Sequence, residues 1–176
     1  MRKLLLLTTL FCAFITATKA QNVAIKTNIF YWGTVSPNAG VEFKAGRKVS
    51  LDMSGAYRPW TLWKQDSRFW LVQPEVRYWL CEPFEGHFLG IHLHGAQYYA
   101  YIRDMIYDGY LAGCGLAYGY AWILSPHWNL EAVIGFGYAR LWYREGPDLP
   151  CEKCFGNGAA DYIGPTKLSI SISYVF

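Results

Sequence analysis

Apolar and polar residues alternate along most of this chain, and the last eleven residues show the pattern most clearly. From residue 166 to 176, apolar or aromatic side chains occupy every second position, with a lysine and three serines between them. A period of two places successive side chains on opposite faces of a β-strand. The apolar set is Leu168, Ile170, Ile172, Tyr174 and Phe176.

Seven earlier segments repeat this alternation, beginning at residues 23, 39, 49, 70, 88, 111 and 129. Most have the roughly 9–11 residues that a tilted membrane strand needs. No internal repeat, helical stretch or low-complexity linker separates them. The pattern therefore predicts an all-β fold of eight antiparallel strands in one domain, and the first strand is predicted to run from Val23 to Trp32.

The connections between these strands alternate in length. Short turns fall at residues 46–48, 82–86 and 125–127, whereas longer and more polar connections fall at 58–68, 100–109 and 144–165. Short periplasmic turns and longer extracellular loops are typical of outer-membrane barrels. Pro74 lies inside the fourth strand, where a closed sheet has no free edge for a residue without an N–H, and we expect a β-bulge there.

The polar face of the strands carries charges of both signs. In a membrane barrel this face is enclosed, and unpaired charge in a confined space is costly, so we expect an ion-pair network. The predicted interior set is Lys26, Glu42, Lys44, Asp52, Glu75, Arg77, Glu131 and Lys167, with His92 and His94. Its four cations balance four carboxylates. In the alternative reading, a secreted β-sandwich, the apolar face packs inward and the polar face meets water.

Aromatic side chains cluster near the predicted strand ends, as in the interfacial girdles of membrane barrels. The predicted girdle residues are Tyr31, Trp32, Tyr57, Trp60, Trp79, Trp122, Trp128, Trp142 and Tyr174. Eight strands enclose a lumen that side chains can fill. The sequence therefore argues against a general diffusion pore.

The first twenty residues have the pattern of a secretory signal peptide. Arg2 and Lys3 precede an apolar run, and "TKA" ending at Ala20 is a small-residue cleavage site. We expect a mature domain of residues 21–176. The formal charge of +3 belongs to Arg2, Lys3 and Lys19, so the mature chain is neutral and offers no basic patch for nucleic acid.

Two groups of residues could carry chemistry. Cys151 and Cys154 have the spacing of a redox pair or of half a zinc site, although zinc needs four ligands. A local disulfide, or pairing with other cysteines, is the favoured reading. His94 and Ser54 could belong to a catalytic arrangement, but nothing in the sequence supports that pairing. We predict no catalytic residue, no metal and no cofactor.

Several segments resemble a known family. They are "KTN" at 26–28, "QPEVRYWL" at 73–80, "GHFLGIHL" at 86–93, "GYAWILSPHWNLEAVIGFGYA" at 119–139 and "GPTKLSISISYVF" at 164–176. In these the chain resembles domain-of-unknown-function family 3575, small exported proteins of Bacteroidetes-type Gram-negative bacteria. The resemblance implies an outer-membrane β-barrel, often encoded beside fimbrial or surface-adhesin components. It implies no catalytic residues.

The leading hypothesis is a non-enzymatic outer-membrane barrel with a structural or accessory role at the cell surface. The first alternative is an outer-membrane lipid-modifying enzyme of the acyltransferase or deacylase type, and the second is the secreted sandwich. Expected partners are outer-membrane lipids and lipopolysaccharide, fimbrial or other surface proteins, and the barrel assembly machinery. The alternating C-terminal residues that end at Phe176 resemble the signal which that machinery reads.

Overall fold

Eight antiparallel strands form one closed sheet in the computed structural model, which describes residues 23–60, 67–102, 105–147 and 156–176. The strands are β1 Val23–Asn28, β2 Asn38–Lys44, β3 Val49–Arg58, β4 Ser67–Trp79, β5 Gly86–Ile102, β6 Met105–Ile123, β7 Trp128–Pro147 and β8 Gly156–Val175. Each strand pairs with its neighbours in sequence, and β8 closes the ring by pairing with β1. The eight-stranded antiparallel prediction is confirmed.

The first predicted strand ends four residues early. The chain forms a short helix, α1 (Ile29–Gly33), instead of continuing to Trp32. The side chain of Asn28 explains the change, because its Oδ1 accepts a hydrogen bond of 3.0 Å from the N–H of Phe30 and so caps the first turn. The prediction that the chain contains no helical stretch was wrong at this point.

Two of the predicted long connections are largely strand. The β5–β6 ladder continues to the pair of Ile102 with Met105, and the β7–β8 ladder continues to the pair of Glu145 with Gly156. Strands β5 to β8 therefore contain 17 to 20 residues each, whereas β1 and β2 contain 6 and 7. At the end of the ring opposite the short turns, β5–β8 continue past the ends of β1 and β2.

Pro74 causes no bulge. The pairs of Val72 with Gly95 and of Glu75 with His92 have the same register, so no residue is inserted between them. The β-bulge lies in β8 instead, where Gly135 pairs with Lys167 and the next residue of β7 pairs with Pro165. Thr166 is the additional residue. The bulge lets Thr166 and Lys167 both reach the interior of the ring.

The two faces of the sheet differ as the alternation predicts. Charged and hydroxyl-bearing side chains are buried inside the ring, and large apolar side chains are exposed on its outside. Along β8, for example, Lys167, Ser169, Ser171 and Ser173 are buried while Leu168 and Ile170 are exposed. Among the described residues, no helix is both long enough and apolar enough to cross a membrane.

Candidate functional site

A buried ion-pair network fills the middle of the ring. Three of its carboxylates lie side by side, because Glu42, Asp52 and Glu75 are register partners on β2, β3 and β4. Like charges directly opposite each other on neighbouring strands are destabilising. Such a row is stable only if cations reach it from elsewhere in the ring.

Arg77 is the central cation of this network. Its guanidinium nitrogens lie 2.8 Å from carboxylate oxygens of Glu42, Glu75 and Glu131, and 3.6 Å from Asp52. All five side chains are almost fully buried. The planar fork of arginine can serve several carboxylates at once, which a lysine could not do with the same geometry. The Cζ atom of the guanidinium lies over the Phe88 ring, 4.4 Å from the ring centre.

Two lysines complete the network from the strands that close the ring. Lys26 on β1 pairs with Glu42 and lies 3.2 Å from Asp52 and 3.3 Å from Glu131. Lys167 on β8 pairs with Glu75. Through these contacts strands β1 and β8 meet β2, β3, β4 and β7, so the network connects parts of the ring that are far apart in sequence.

Lys44 does not belong to this network. It occupies the last residue of β2 and is exposed at the short-turn end of the ring, because the chain leaves the sheet there. The prediction that Lys44 belongs to the interior network, which made four cations against four carboxylates, is therefore wrong. In the buried network that the described residues form, the three cations Lys26, Arg77 and Lys167 face four carboxylates.

The two histidines lie inside the ring next to the network. The Nε2 atom of His92 is 2.9 Å from the Oγ1 atom of Thr166, the residue that the bulge turns inward. The Nε2 atom of Gln73 donates a hydrogen bond of 3.3 Å to the backbone oxygen of Thr166. The rings of His92 and His94 lie 5.6 Å apart.

The catalytic pairing considered from the sequence gains no contact here. The hydroxyl of Ser54 donates to the backbone oxygen of Gln73 at 3.2 Å. The Nδ1 atom of His94 has no hydrogen-bond partner among the described residues. The side chain of His94 is buried and lies over Gly113 of β6.

Glycines on neighbouring strands provide the space for these side chains. A Cβ atom at Gly115 would lie 2.8 Å from the ring of His92, and one at Gly113 would lie 2.5 Å from His94. A Cβ at Gly40 would meet the stem of Lys26 at 2.8 Å. The glycine-rich face of β6 thus has a packing role, because Gly113, Gly115 and Gly119 each face a large interior side chain of β5.

An aromatic cluster, which the sequence reading missed, closes the short-turn end of the ring. Trp79 is 0 % exposed, and its ring centre lies 4.6 Å from that of Phe88. The indole Nε1 donates a hydrogen bond of 2.7 Å to Ser50. Phe84, in the turn between β4 and β5, packs beside them with its ring centre 6.3 Å from Trp79. Placing Trp79 in a lipid-facing girdle was therefore wrong, although its parity with Glu75 and Arg77 already pointed inward.

A polar cavity of about 70 Å³ remains on the other side of the network. Lys26, Asp52, Gln73, Thr166 and Lys167 are among its lining residues. The volume suits a few water molecules. Water there would add hydrogen bonds to the carboxylate oxygens of Asp52, whose contacts with described groups are the ion pairs to Lys26, Arg77 and Lys167.

The remaining predicted sites divide between described and undescribed residues. Cys151 and Cys154 lie outside the described residues, as does the predicted signal peptide. Within the described part of the chain, no cluster of histidine, cysteine and acidic residues is arranged to hold a metal ion. The C-terminal set lies in β8 or directly after it, and the backbone N–H of Phe176 donates a hydrogen bond of 3.0 Å to Val23 of the first strand.

The comparisons with known proteins give one family and no individual relative. Neither the curated proteins nor the solved structures contain a match to this chain. One family model, described as protein of unknown function (DUF3575), matches residues 5–176, which is nearly the whole chain. The chain therefore belongs to the DUF3575 family.

Proposed function

We propose that this protein is an outer-membrane β-barrel with a structural or accessory role at the cell surface and no catalytic activity. The proposal rests on the distribution of polar and apolar side chains, which is the reverse of that in a soluble protein. The interior of the ring holds the charges, and the outside is apolar on every strand. Ile91 and Leu116, in the middle of β5 and β6, are 63 % and 67 % exposed.

Such an outer surface is unfavourable in water. Soluble monomers rarely expose contiguous apolar patches larger than a few hundred Å². In a bilayer the same side chains meet hydrocarbon, and the ladders of the closed sheet satisfy most of the backbone hydrogen bonds that lipid cannot satisfy. A β-sandwich would need two packed sheets, whereas this chain has one sheet closed on itself.

Exposed aromatic side chains support the same orientation. One exposed group surrounds the short-turn end and contains Tyr78, Trp122, Trp128 and Phe176, with the half-buried Tyr174 beside them, and a second group nearer the other end of the strands contains Tyr57, Trp70, Tyr110 and Tyr138. Two aromatic belts that flank an apolar band are typical of outer-membrane barrels. We place the short turns in the periplasm and the long β5–β8 extension outside the cell.

The role that we propose is not transport. The interior is filled by the ion-pair network and, at the periplasmic end, by Trp79 and Phe88. The expected partners are outer-membrane lipids, lipopolysaccharide, the barrel assembly machinery and surface proteins. A link to fimbrial components comes from the family resemblance, and co-purification from detergent-solubilised outer membranes tests it.

A pair of leucine variants tests the membrane location directly. Leu116 lies in the middle of the apolar band and Leu124 beyond the end of β6, and both are exposed to a similar degree. In a bilayer, Leu116→Arg should cost about 2–4 kcal/mol and Leu124→Arg about 0–1 kcal/mol. The measurement is the amount of folded, heat-modifiable protein in the outer-membrane fraction. Recovery of the wild-type chain as a soluble protein, or equal effects of the two variants, would refute the proposal.

A further inference from the structure

One edge of β8 has no strand partner over most of its length. Strand β8 pairs with β7 from Gly156 to Tyr174, but with β1 only from Ser171 to Val175. Strand β1 ends at Asn28, where α1 begins. Among the described strands, therefore, none pairs with the outer edge of β8 between residues 156 and 170.

Side chains close the lower part of this edge, next to α1. Asn28 donates to the backbone oxygen of Leu168 at 3.5 Å, Gln73 donates to that of Thr166 at 3.3 Å, and Tyr162 donates to that of Pro165 at 3.2 Å. Pro165 itself has no N–H to offer. The edge is thus unsuited to further pairing from Pro165 downward.

The upper part of the edge lacks the features that usually block strand addition. The segment Gly156–Gly164 contains no proline and no lysine. Its one charge, Asp161, already contacts β7 by accepting hydrogen bonds from Tyr138 at 2.5 Å and Arg140 at 3.3 Å. Gly156, Ala159 and Ala160 carry no side chain larger than a methyl group, whereas the rings of Tyr143 and Tyr162 lie over Gly158 and Gly164. The apolar side chain of Ile163 is 85 % exposed.

The geometry of the barrel decides which kind of partner fits, and this step rests on the proposed function. Strands of outer-membrane barrels tilt by about 35–45° from the membrane normal. Two upright copies related by a twofold axis would cross their β8 strands at about twice that angle, which prevents a ladder of nine residues. A lipid has no row of backbone donors and acceptors. An extended segment of a different polypeptide offers such a row of backbone groups and can align with β8 at any tilt.

We propose that the edge of β8 between Gly156 and Gly164 binds an extended segment of another surface or secreted protein, which adds to the β5–β8 extension as a further strand. Backbone hydrogen bonds supply most of the affinity in this mode of recognition, and side-chain contacts at alternate positions supply specificity. The partner segment places an apolar side chain beside Ile163.

Site-specific photo-crosslinking in cells tests the proposal. A photo-reactive amino acid is placed in turn at Asn157, Ala159 and Asp161, on the open edge, and at Ala112 as the control. Ala112 is exposed at a similar level but lies in β6, which is paired on both sides. We expect the three edge positions to crosslink to the same partner polypeptide. The crosslinked residue of that partner should shift by two positions from one edge position to the next. The control should not join it.

The possible outcomes separate this inference from the proposed function. The wild-type chain and each variant are first checked for heat-modifiable migration in the outer-membrane fraction. Absence of the wild-type chain from that fraction refutes both proposals. A folded outer-membrane chain that gives no adduct, scattered adducts or only a dimer of itself refutes the added strand alone. As a second measurement, Ala159→Lys should lower the adduct yield from Asn157 by at least about fivefold, because edge lysines oppose strand addition, while Ala112→Lys should leave it unchanged.

Discussion

Replacement of Arg77 by methionine tests whether the interior network stabilises the ring. The substitution keeps most of the side-chain volume over Phe88 and removes the charge that contacts all four carboxylates. Two lysines would then face four buried carboxylates. Breaking a buried ion pair on one side typically costs about 3–5 kcal/mol, because the remaining charge stays in a poor environment. We expect Arg77→Met to lower the free energy of unfolding by about 4 kcal/mol.

The matched control is an exposed ion pair in the same protein. Arg140 lies 3.3 Å from Asp161, but the two side chains are 48 % and 56 % exposed. Solvent screens such pairs, and they contribute about 0–1 kcal/mol. The assay is urea unfolding of the purified barrel in lipid vesicles, followed by tryptophan fluorescence. Arg140→Met should shift the midpoint far less than Arg77→Met does.

A second substitution separates charge from packing. In the Arg77→Met background, Glu131→Gln removes one of the carboxylates that have lost their contact with Arg77 and should recover about 1–2 kcal/mol. Glu82, in the exposed β4–β5 turn, is the control, and Glu82→Gln should recover nothing. If Arg77→Met fails to fold, Arg77→Lys keeps the charge and should give an intermediate stability. Two results would refute the reasoning. One is an unfolding free energy of Arg77→Met within about 1 kcal/mol of the wild type, and the other is equal recovery by Glu131→Gln and Glu82→Gln.

Three further predictions concern packing and assembly. Gly115→Ala should destabilise the protein by about 1–3 kcal/mol, because its Cβ would lie 2.6 Å from a backbone oxygen, whereas Gly95→Ala, with open space around it, should be neutral in the same unfolding assay. Trp79→Ala should cost about 3–5 kcal/mol, and an equal loss in the outward-facing Trp122→Ala would contradict the aromatic closure. Deletion of Phe176 should reduce the amount of inserted protein in cells by a larger fraction than it reduces the unfolding free energy of the protein that is inserted. The reverse result would refute an assembly role.

The sequence by itself determined the strands and the polarity of their faces. Alternation with a period of two assigns Glu42, Asp52 and Arg77 to one face and Leu51, Val76 and Leu116 to the other, whatever the partner strands are. Family membership also follows from the sequence, since the family model covers nearly all of it. These properties are local or depend on the order of residues alone.

Only the tertiary structure decided which of the polar residues meet. Lys44 has the parity of an interior residue but lies where β2 leaves the sheet, so it is exposed, and the network loses one cation. Thr166 reaches His92 because of a one-residue bulge that alternation cannot reveal. The position of a residue along a strand, and the register between strands, depend on pairing across the whole ring.

The same reason explains the two ends of the molecule. Trp79 closes the short-turn end because register brings it against Ser50 and Phe88. At the opposite end, β1 stops at Asn28 while β8 continues to Gly156, so one edge stays open. The amino-acid sequence determines which residues can form strands. How far each strand is paired is decided only when its neighbours are in place, because a ladder hydrogen bond needs both partners.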